Sequence, residues 1–525
     1  MTRLWAECWF VIALAPWLLP AQVHSAVFDV KSYGAKGDGK ALDSPAINQA
    51  IEAAAGGGTV HFPAGTYVTG SIRLRSNLAL QFEPGTTLEA SADPAAYDAA
   101  EPNQWDQFQD FGHSHFHNSL IWGEGLENVS IQGPGLISGK ALARERGAAG
   151  DKAIALKLCR KVTLRDFSIL SGGHFGILAT GVDNLTIDNV TIDTNRDGID
   201  VDSCSNVRIS NASVNTPNDD AIVLKGTHAL GFARPTENVT IVNCLVSGYD
   251  IGSLLDGTYK RTVKQAPDRD GPTGRVKIGT ESEGDFRNIT IANVVFDRSR
   301  GLALESVDGA HLEDIAISNI TMREVSNAPI FIRLGSRMRA PEGTAVGSLR
   351  RVNISNVVVY DADPRYGSII SGIPGHDVED VKLSDIRILY RGGLTLDQVA
   401  KQPAELVNTF FFRATGGVPP REPYATPERE KEYPEPSMFG MLPAYGFFIR
   451  HATGIELNNV EVGYMKEDRR PAFVLDTVKG IDLEHVKAQK ASGVPTIVLQ
   501  NVEDFSVYRS SVPDAHVDKA DRKEM

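Results

Sequence analysis

The chain has 525 residues, 42% of them hydrophobic and 23% charged, enough apolar material for a large core and too much for a disordered or collagen-like polymer. Its 53 Lys and Arg against 66 Asp and Glu leave a formal net charge of −13, which argues against a nucleic-acid backbone as partner. A single domain this long is expected only of a repeat protein, whose units stack into one continuous core.

Residues 1–25 read as a signal peptide. Arg3 precedes an apolar run over 9–19, and Val23-His24-Ser25-Ala26 offers a small-residue cleavage site after Ser25. Export to the periplasm or the exterior is expected, without membrane association after cleavage, because the run is too short to span a bilayer; a signal anchor is the alternative. Cys8 leaves with that segment. Cys159, Cys204 and Cys244 are too few for a disulfide framework and are expected as free, buried thiols.

Residues 26–30 then read as a strand, and Asp43-Ser44-Pro45-Ala46-Ile47 as a helix start with Ser44 as N-cap and Pro45 in the first helical position. Ile47, Ala50, Ile51 and Ala54 share one face of that helix, which suits a cap over the open end of a solenoid. Gly56-Gly57-Gly58 and Gly133-Pro134-Gly135 are turns, with no following helix to make either a phosphate loop. His113, His115 and His117 alternate as on one strand face, but no Cys or carboxylate at ligand spacing completes a zinc site. Sugar contact or core packing is expected there, and no metal or other cofactor. Trp105, Phe108, Phe111 and Trp122 could stack on sugar rings, although packing is the ordinary use of aromatics.

From residue 128 one short pattern recurs, in which polar and aliphatic residues alternate: Asn128-Val129-Ser130-Ile131, Lys161-Val162-Thr163-Leu164, Asn184-Leu185-Thr186-Ile187, Asn206-Val207-Arg208-Ile209 and Asn238-Val239-Thr240-Ile241. Further copies start at Asn288, Asp314, Arg351, Asp380, Gly454, Gly480 and Asp504. Alternation in runs of four or five means strands with one face inward, and the units leave no room for paired helices. The leucine frame of leucine-rich repeats is absent. The remaining solution is all-β: a single-stranded, right-handed parallel β-helix with an N-terminal capping helix, over 26–512. Insertions at 246–274, 336–348 and 391–446 are loops leaving the solenoid, and the charged tail over 513–525 is expected to fray. Asn-x-Ser/Thr triplets at 128, 184, 211, 238, 288, 319 and 353 formally match glycosylation acceptors but are read as the repeat itself, with Asn at tight corners.

The chemistry concentrates in Asn195-Arg196-Asp197-Gly198-Ile199-Asp200-Val201-Asp202 and Asn218-Asp219-Asp220-Ala221-Ile222-Val223-Leu224-Lys225. Asp197 and Asp219 are 22 positions apart, the length of one coil, and should lie side by side. So many close carboxylates cannot all ionise cheaply, so at least one pKa should rise. A carboxylic acid beside carboxylates is the equipment for glycosidic hydrolysis: the acid protonates the departing oxygen and a base activates water. A calcium site and a structural ladder are the rival readings of the same cluster.

These residues resemble glycoside hydrolase family 28, the polygalacturonase-like pectinases with the pectin lyase-like β-helix. The similarity opens at Phe28-Asp29-Val30-Lys31-Ser32-Tyr33-Gly34 and runs to about residue 330, and more loosely to the end. It implies an inverting mechanism with Asp219 as general acid and Asp197 and Asp220 holding the attacking water, on a pectin-type polysaccharide or oligosaccharide, by a monomer. Arg196 stands where the family usually has Thr. The family's Gly-His motif is replaced by Gly274-Arg275-Val276-Lys277, so Arg275, or Tyr249 from the insertion, is expected to support the acid. The Arg-Ile-Lys motif that holds a uronate falls on Ala303-Leu304-Glu305, and Glu305 facing a uronate would repel it. Either a neutral or differently branched sugar sits there, or cations come from elsewhere: Arg275, Lys277, Lys225 or Arg333, with Arg337 and Arg339 equally readable as a solvated loop. A calcium-dependent lyase on the same fold and a non-catalytic carbohydrate-binding solenoid are the alternatives.

Overall fold

A computed structural model describes residues 26–143, 148–266 and 270–525, so the signal-peptide expectation over 1–25 lies outside the described residues. Three parallel ladders run the length of the molecule. One joins Lys152–Lys157, Phe175–Thr180, Asp197–Asp202, Ile222–Gly226, Val276–Ser282, Leu302–Ser306 and Ile330–Leu334, and continues to the last coils. A second stacks Glu127–Gln132, Arg160–Arg165, Asp183–Asp188, Ser205–Ser210 and Thr236–Val242. The third stacks short strands such as Thr191–Asp193 and Ser213–Asn215. Each coil contributes one strand to each ladder, which makes the architecture a right-handed parallel β-helix.

The repeat produces this because its aliphatic positions all point inward at the same height in successive coils. Val162, Leu185, Val207 and Val239 form one buried column and Leu164, Ile187, Ile209 and Ile241 the next. Each such side chain taken from water contributes roughly 1.5–3 kcal/mol before conformational entropy is charged against it. The corners are made by residues in the left-handed backbone region, chiefly Asn: φ is 57° at Asn184, 60° at Asn206 and 56° at Asn238. Their amides also bond coil to coil, Asn288 donating to Asn238 at 2.7 Å and Asn356 to Asn319 at 2.7 Å. The triplets are therefore corner ladders, except at Asn353, which lies within the strand Ser348–Ala362 and leaves the corner to Arg351 at φ 55°.

The helix Ser44–Ala53 buries Ile47, Ala50 and Ile51 against the first coils. Its N-cap is Asp43, one residue earlier than expected, and Asp43 spends its carboxylate on the amides of Lys36 and Gly37 instead of capping the helix. Cys159, Cys204 and Cys244 are free and buried. The tail does not fray: Ala515–Glu524 pairs antiparallel with Ile497–Tyr508 on the last coil. No helix among the described residues is long and apolar enough to cross a membrane.

One expectation fails in an informative way. Strands of the first ladder are buried on both faces, not one, because loops cover their outer side. Phe116 packs on Ala155, Phe175 and Leu178 at one end, where Trp122 of the preceding strand continues the Ala155 column. At the other, Tyr424, Met438, Phe439 and Leu442 of the 391–446 insertion cover Ala303, Phe331, Ile369 and Phe448. Between these two apolar covers the outward column is charged, with Asp200 and Lys277 flanking Val223.

Candidate active site

Asp197 opens the strand Asp197–Asp202, and Asp219 and Asp220 lie in the turn before Ile222–Gly226. The register between the two strands steps by 23 residues, Ile199 opposite Ile222, so Asp220 rather than Asp219 stacks on Asp197. The Asp220 amide donates to Asp197 Oδ1 at 3.2 Å and to Asp219 Oδ1 at 3.1 Å. One carboxylate oxygen from each of the three lies within 4.8 Å of the others. Asp197 and Asp220 are almost completely covered, whereas the Asp219 side chain is 28% exposed and lines a cleft of about 460 Å³.

The three acids have different surroundings. Burial, reinforced by Asp200 and Asp219, pushes Asp197 well above the ordinary carboxylate range. Burial pushes Asp200 up as well, to about 7, although Lys225 opposes it. Burial also works to raise Asp220, but Lys277 and Arg275 outweigh it and hold this carboxyl well below the usual range. Arg275 Nε donates to Asp220 Oδ1 at 2.7 Å and Lys277 Nζ lies 3.2 Å from Oδ2. Asp219 is paired instead with Arg196, at 3.1 Å. The cluster thus holds one acid that favours its proton beside one that stays ionised.

The same ammonium and guanidinium groups bear on metal binding. Asp197, Asp219 and Asp220, and separately His113, Asp197 and Asp200, are close enough to share a cation. Calcium, however, requires six to eight oxygens with compensating charge left for it. Lys225 Nζ already lies 3.5 Å from Asp197 and 3.4 Å from both Asp200 and Glu281, and Arg275 and Lys277 neutralise Asp220. This donor set fits a divalent ion poorly.

Of the other residues singled out in the sequence, Arg275, Lys277 and Lys225 are at the cluster as described. Glu305 is fully buried, 3.5 Å from Lys277 Nζ and accepting from Thr280 Oγ1 at 2.9 Å, and its carboxyl is pushed up to about 7 by burial. It lies beneath the cleft and does not line it. Tyr249 does not approach the acids: its hydroxyl bonds Asp297 and its amide donates to Asn215 Oδ1. Arg333 is buried and donates to Ser371, Gly372 and the Glu428 and Arg429 carbonyls, so it anchors the insertion. Arg337 is taken by Asp308, and Arg339 Nη1 lies 3.6 Å from Glu281. Asp202 is tied to Thr227 and Thr180, away from the other acids.

The three histidines diverge. His113 ends a short 3-10 turn and accepts from Lys225 Nζ at 3.0 Å, held neutral by burial and that ammonium, while His115 lies 3.1 Å from Asp106 and His117 bonds Glu124. Several lining residues had no signal in the sequence: Phe410, Phe411, Tyr433 and Glu435 all come from the 391–446 insertion. Glu435 Oε1 accepts from Arg275 at 2.6 Å and Arg300 at 3.1 Å, and Lys277 donates to the Tyr433 hydroxyl at 3.2 Å. These contacts span 135 to 160 residues.

Comparison with known proteins agrees with this fold. Residues 27–169 match the family model described as rhamnogalacturonase A/epimerase, pectate lyase-like, and 113–263 match that of the right-handed β-helix region. The chain is 23% identical over 332 residues to a probable polygalacturonase of Vitis vinifera, a match covering 58% of this chain and 62% of that protein. It is also 23% identical over 320 residues to an endo-polygalacturonase of Pectobacterium carotovorum subsp. carotovorum, covering 55% of this chain and 76% of that one. Among solved structures, the family 28 exopolygalacturonase of Yersinia enterocolitica superimposes with a TM-score of 0.63 at 16% identity, over 87% of this chain and 78% of that one.

Proposed function

We propose that the chain is a polygalacturonase-like glycoside hydrolase of family 28 that hydrolyses O-glycosidic bonds in a pectin-type polysaccharide or oligosaccharide, with Asp197, Asp219 and Asp220 as the reacting groups. The observation that carries this reading is a group of three carboxyls with oxygens within 4.8 Å of one another, of which Asp219 and Asp220 line a cleft and Asp219 is the one exposed to it. Asp219, the most accessible, gives its proton to the glycosidic oxygen as the bond to C1 breaks. Asp220, kept anionic by Arg275 and Lys277, takes the proton of the water whose oxygen attacks C1, and Asp197 orients that water. Tyr249 and Arg333 have no role in this scheme. The chain acts as an exported monomer after loss of 1–25, with 26–512 as one β-helical unit.

Inversion follows from the resemblance, and retention is its alternative. Inverting enzymes usually hold their two carboxyls about 6.5–9.5 Å apart, and retaining ones about 5–5.5 Å. Proton NMR of the first-formed anomer distinguishes the two. The same run followed in the ultraviolet tests hydrolysis itself: a saturated product supports it, and an unsaturated, absorbing product refutes it in favour of a lyase.

A further inference from the structure

The cleft carries three cations and three anions: Arg196, Arg275 and Arg300 against Asp219, Asp220 and Glu435. Every one of the cations is already engaged. Arg196 pairs with Asp219, Arg275 with both Asp220 and Glu435, and Arg300 with Glu435 and the Gly271 carbonyl. The cations just outside the lining are engaged as well: Lys277 by Asp220 and Glu305, Lys225 by Asp197, Asp200 and Glu281, and Arg337 by Asp308. A carboxylate entering a partly buried cleft needs a compensating charge, and here it would have to break an existing ion pair to obtain one.

Two features favour an uncharged guest instead. Glu435 is 3% exposed in its side chain, and its Oε2 has no hydrogen-bond partner among the described residues. That oxygen calls for a donor, which a hydroxyl supplies and a carboxylate does not. Phe410, Phe411 and Tyr433 supply aromatic surface beside it, suited to the C–H face of a pyranose.

We infer that the sugar bound next to Asp219 is neutral, recognised by Glu435 through a hydroxyl and by Phe410 and Phe411 through its apolar face, and that the insertion excludes a uronate from that position. This rests on the hydrolase reading for its cleft and deepens it by naming the substrate class.

Binding separates the two. The full chain carrying Asp197→Asn, which leaves Arg196 paired with Asp219 and Lys225 paired with Asp200 and Glu281, is titrated calorimetrically with two trisaccharides of the same size, a trigalacturonate and a pectin fragment whose terminal sugar is neutral. The neutral-ended ligand should bind at least 10-fold more tightly. Adding Glu435→Gln should shrink that ratio by improving trigalacturonate binding, and Phe411→Ala should weaken the neutral-ended ligand alone. Equal or tighter binding of trigalacturonate, or binding of neither ligand, overturns the inference. The wild type's release of reducing ends from either sugar reports on hydrolysis separately, so trigalacturonate cleavage would leave the hydrolase reading standing while the neutral subsite fell.

Discussion

Arg275 ties two distant parts of the chain to one carboxylate. It spans Asp220 on the solenoid and Glu435 on the insertion, and all three side chains are buried. Arg275→Ala should cost about 3–5 kcal/mol, because removing one partner leaves uncompensated charge inside the protein. Arg275→Lys should recover part of that stability but not the two-pronged contact, since an ammonium lacks the planar fork. Thermal unfolding read together with kcat checks this, with both variants losing turnover and only the alanine variant losing most of its stability. The acids of this cluster were legible in the sequence because coil length brings position 197 near 219 and 220. Glu435 was not, since nothing local distinguishes it from other glutamates in a Pro- and Glu-rich loop.

The raised acids also set a pH dependence. Glu305 and Asp200 are each pushed by burial from the ordinary carboxylate range to about 7, with Lys277 and Arg275 opposing the shift at Glu305 and Lys225 opposing it at Asp200. A group whose folded pKa is raised binds its proton more tightly in the native state. Its contribution is full below the unfolded pKa and is lost as pH rises through the folded value. Stability should therefore fall as pH rises from about 4 to about 7. Asp220 and Glu281, held low by neighbouring cations, act only under more acid conditions. Glu305→Gln should flatten the fall, as read from midpoints of thermal unfolding across that range; an unchanged slope would contradict the assignment of Glu305.

Among the elements, the C-terminal strand is the one whose role differs most from its composition. Ala515–Glu524 is charged and reads as a loose tail, yet it pairs along Ile497–Tyr508 and places Val517 opposite Phe505. It covers the hydrogen-bonding edge of the last coil, which otherwise is a template for another chain. Removing 514–525 should turn a monodisperse sample into dimers and larger species on size-exclusion chromatography, whereas a variant that keeps the strand but replaces Lys519 with Ala should elute as the parent does. Pairing of this kind is invisible in a local pattern because only the partner strand gives it meaning. The capping helix was readable from Pro45 and its apolar face, with its start displaced by one residue because Asp43 bonds backward to Lys36 and Gly37.

At the level of the whole molecule, the solenoid was legible because the same alternation recurs in register over hundreds of residues, and only one architecture buries it. The two covers were not. Phe331, Ile369 and Phe448 read as ordinary strand residues, and only the folded chain shows that their outward faces receive the 391–446 insertion. That cover explains why the charged outward surface is confined to the few coils around Asp197, Asp220 and Lys277. It also brings the aromatic and acidic lining to the cleft, so the proposed function places specificity in the insertion and chemistry in the repeat. The most direct test of this account is release of reducing ends from polygalacturonate, rhamnogalacturonan and debranched pectin fragments by the wild type and by Asp219→Asn. The account predicts new reducing ends from at least one of them, without ultraviolet absorbance and reduced at least 100-fold by the substitution. Equal release by the two proteins, or an absorbing product, would contradict it.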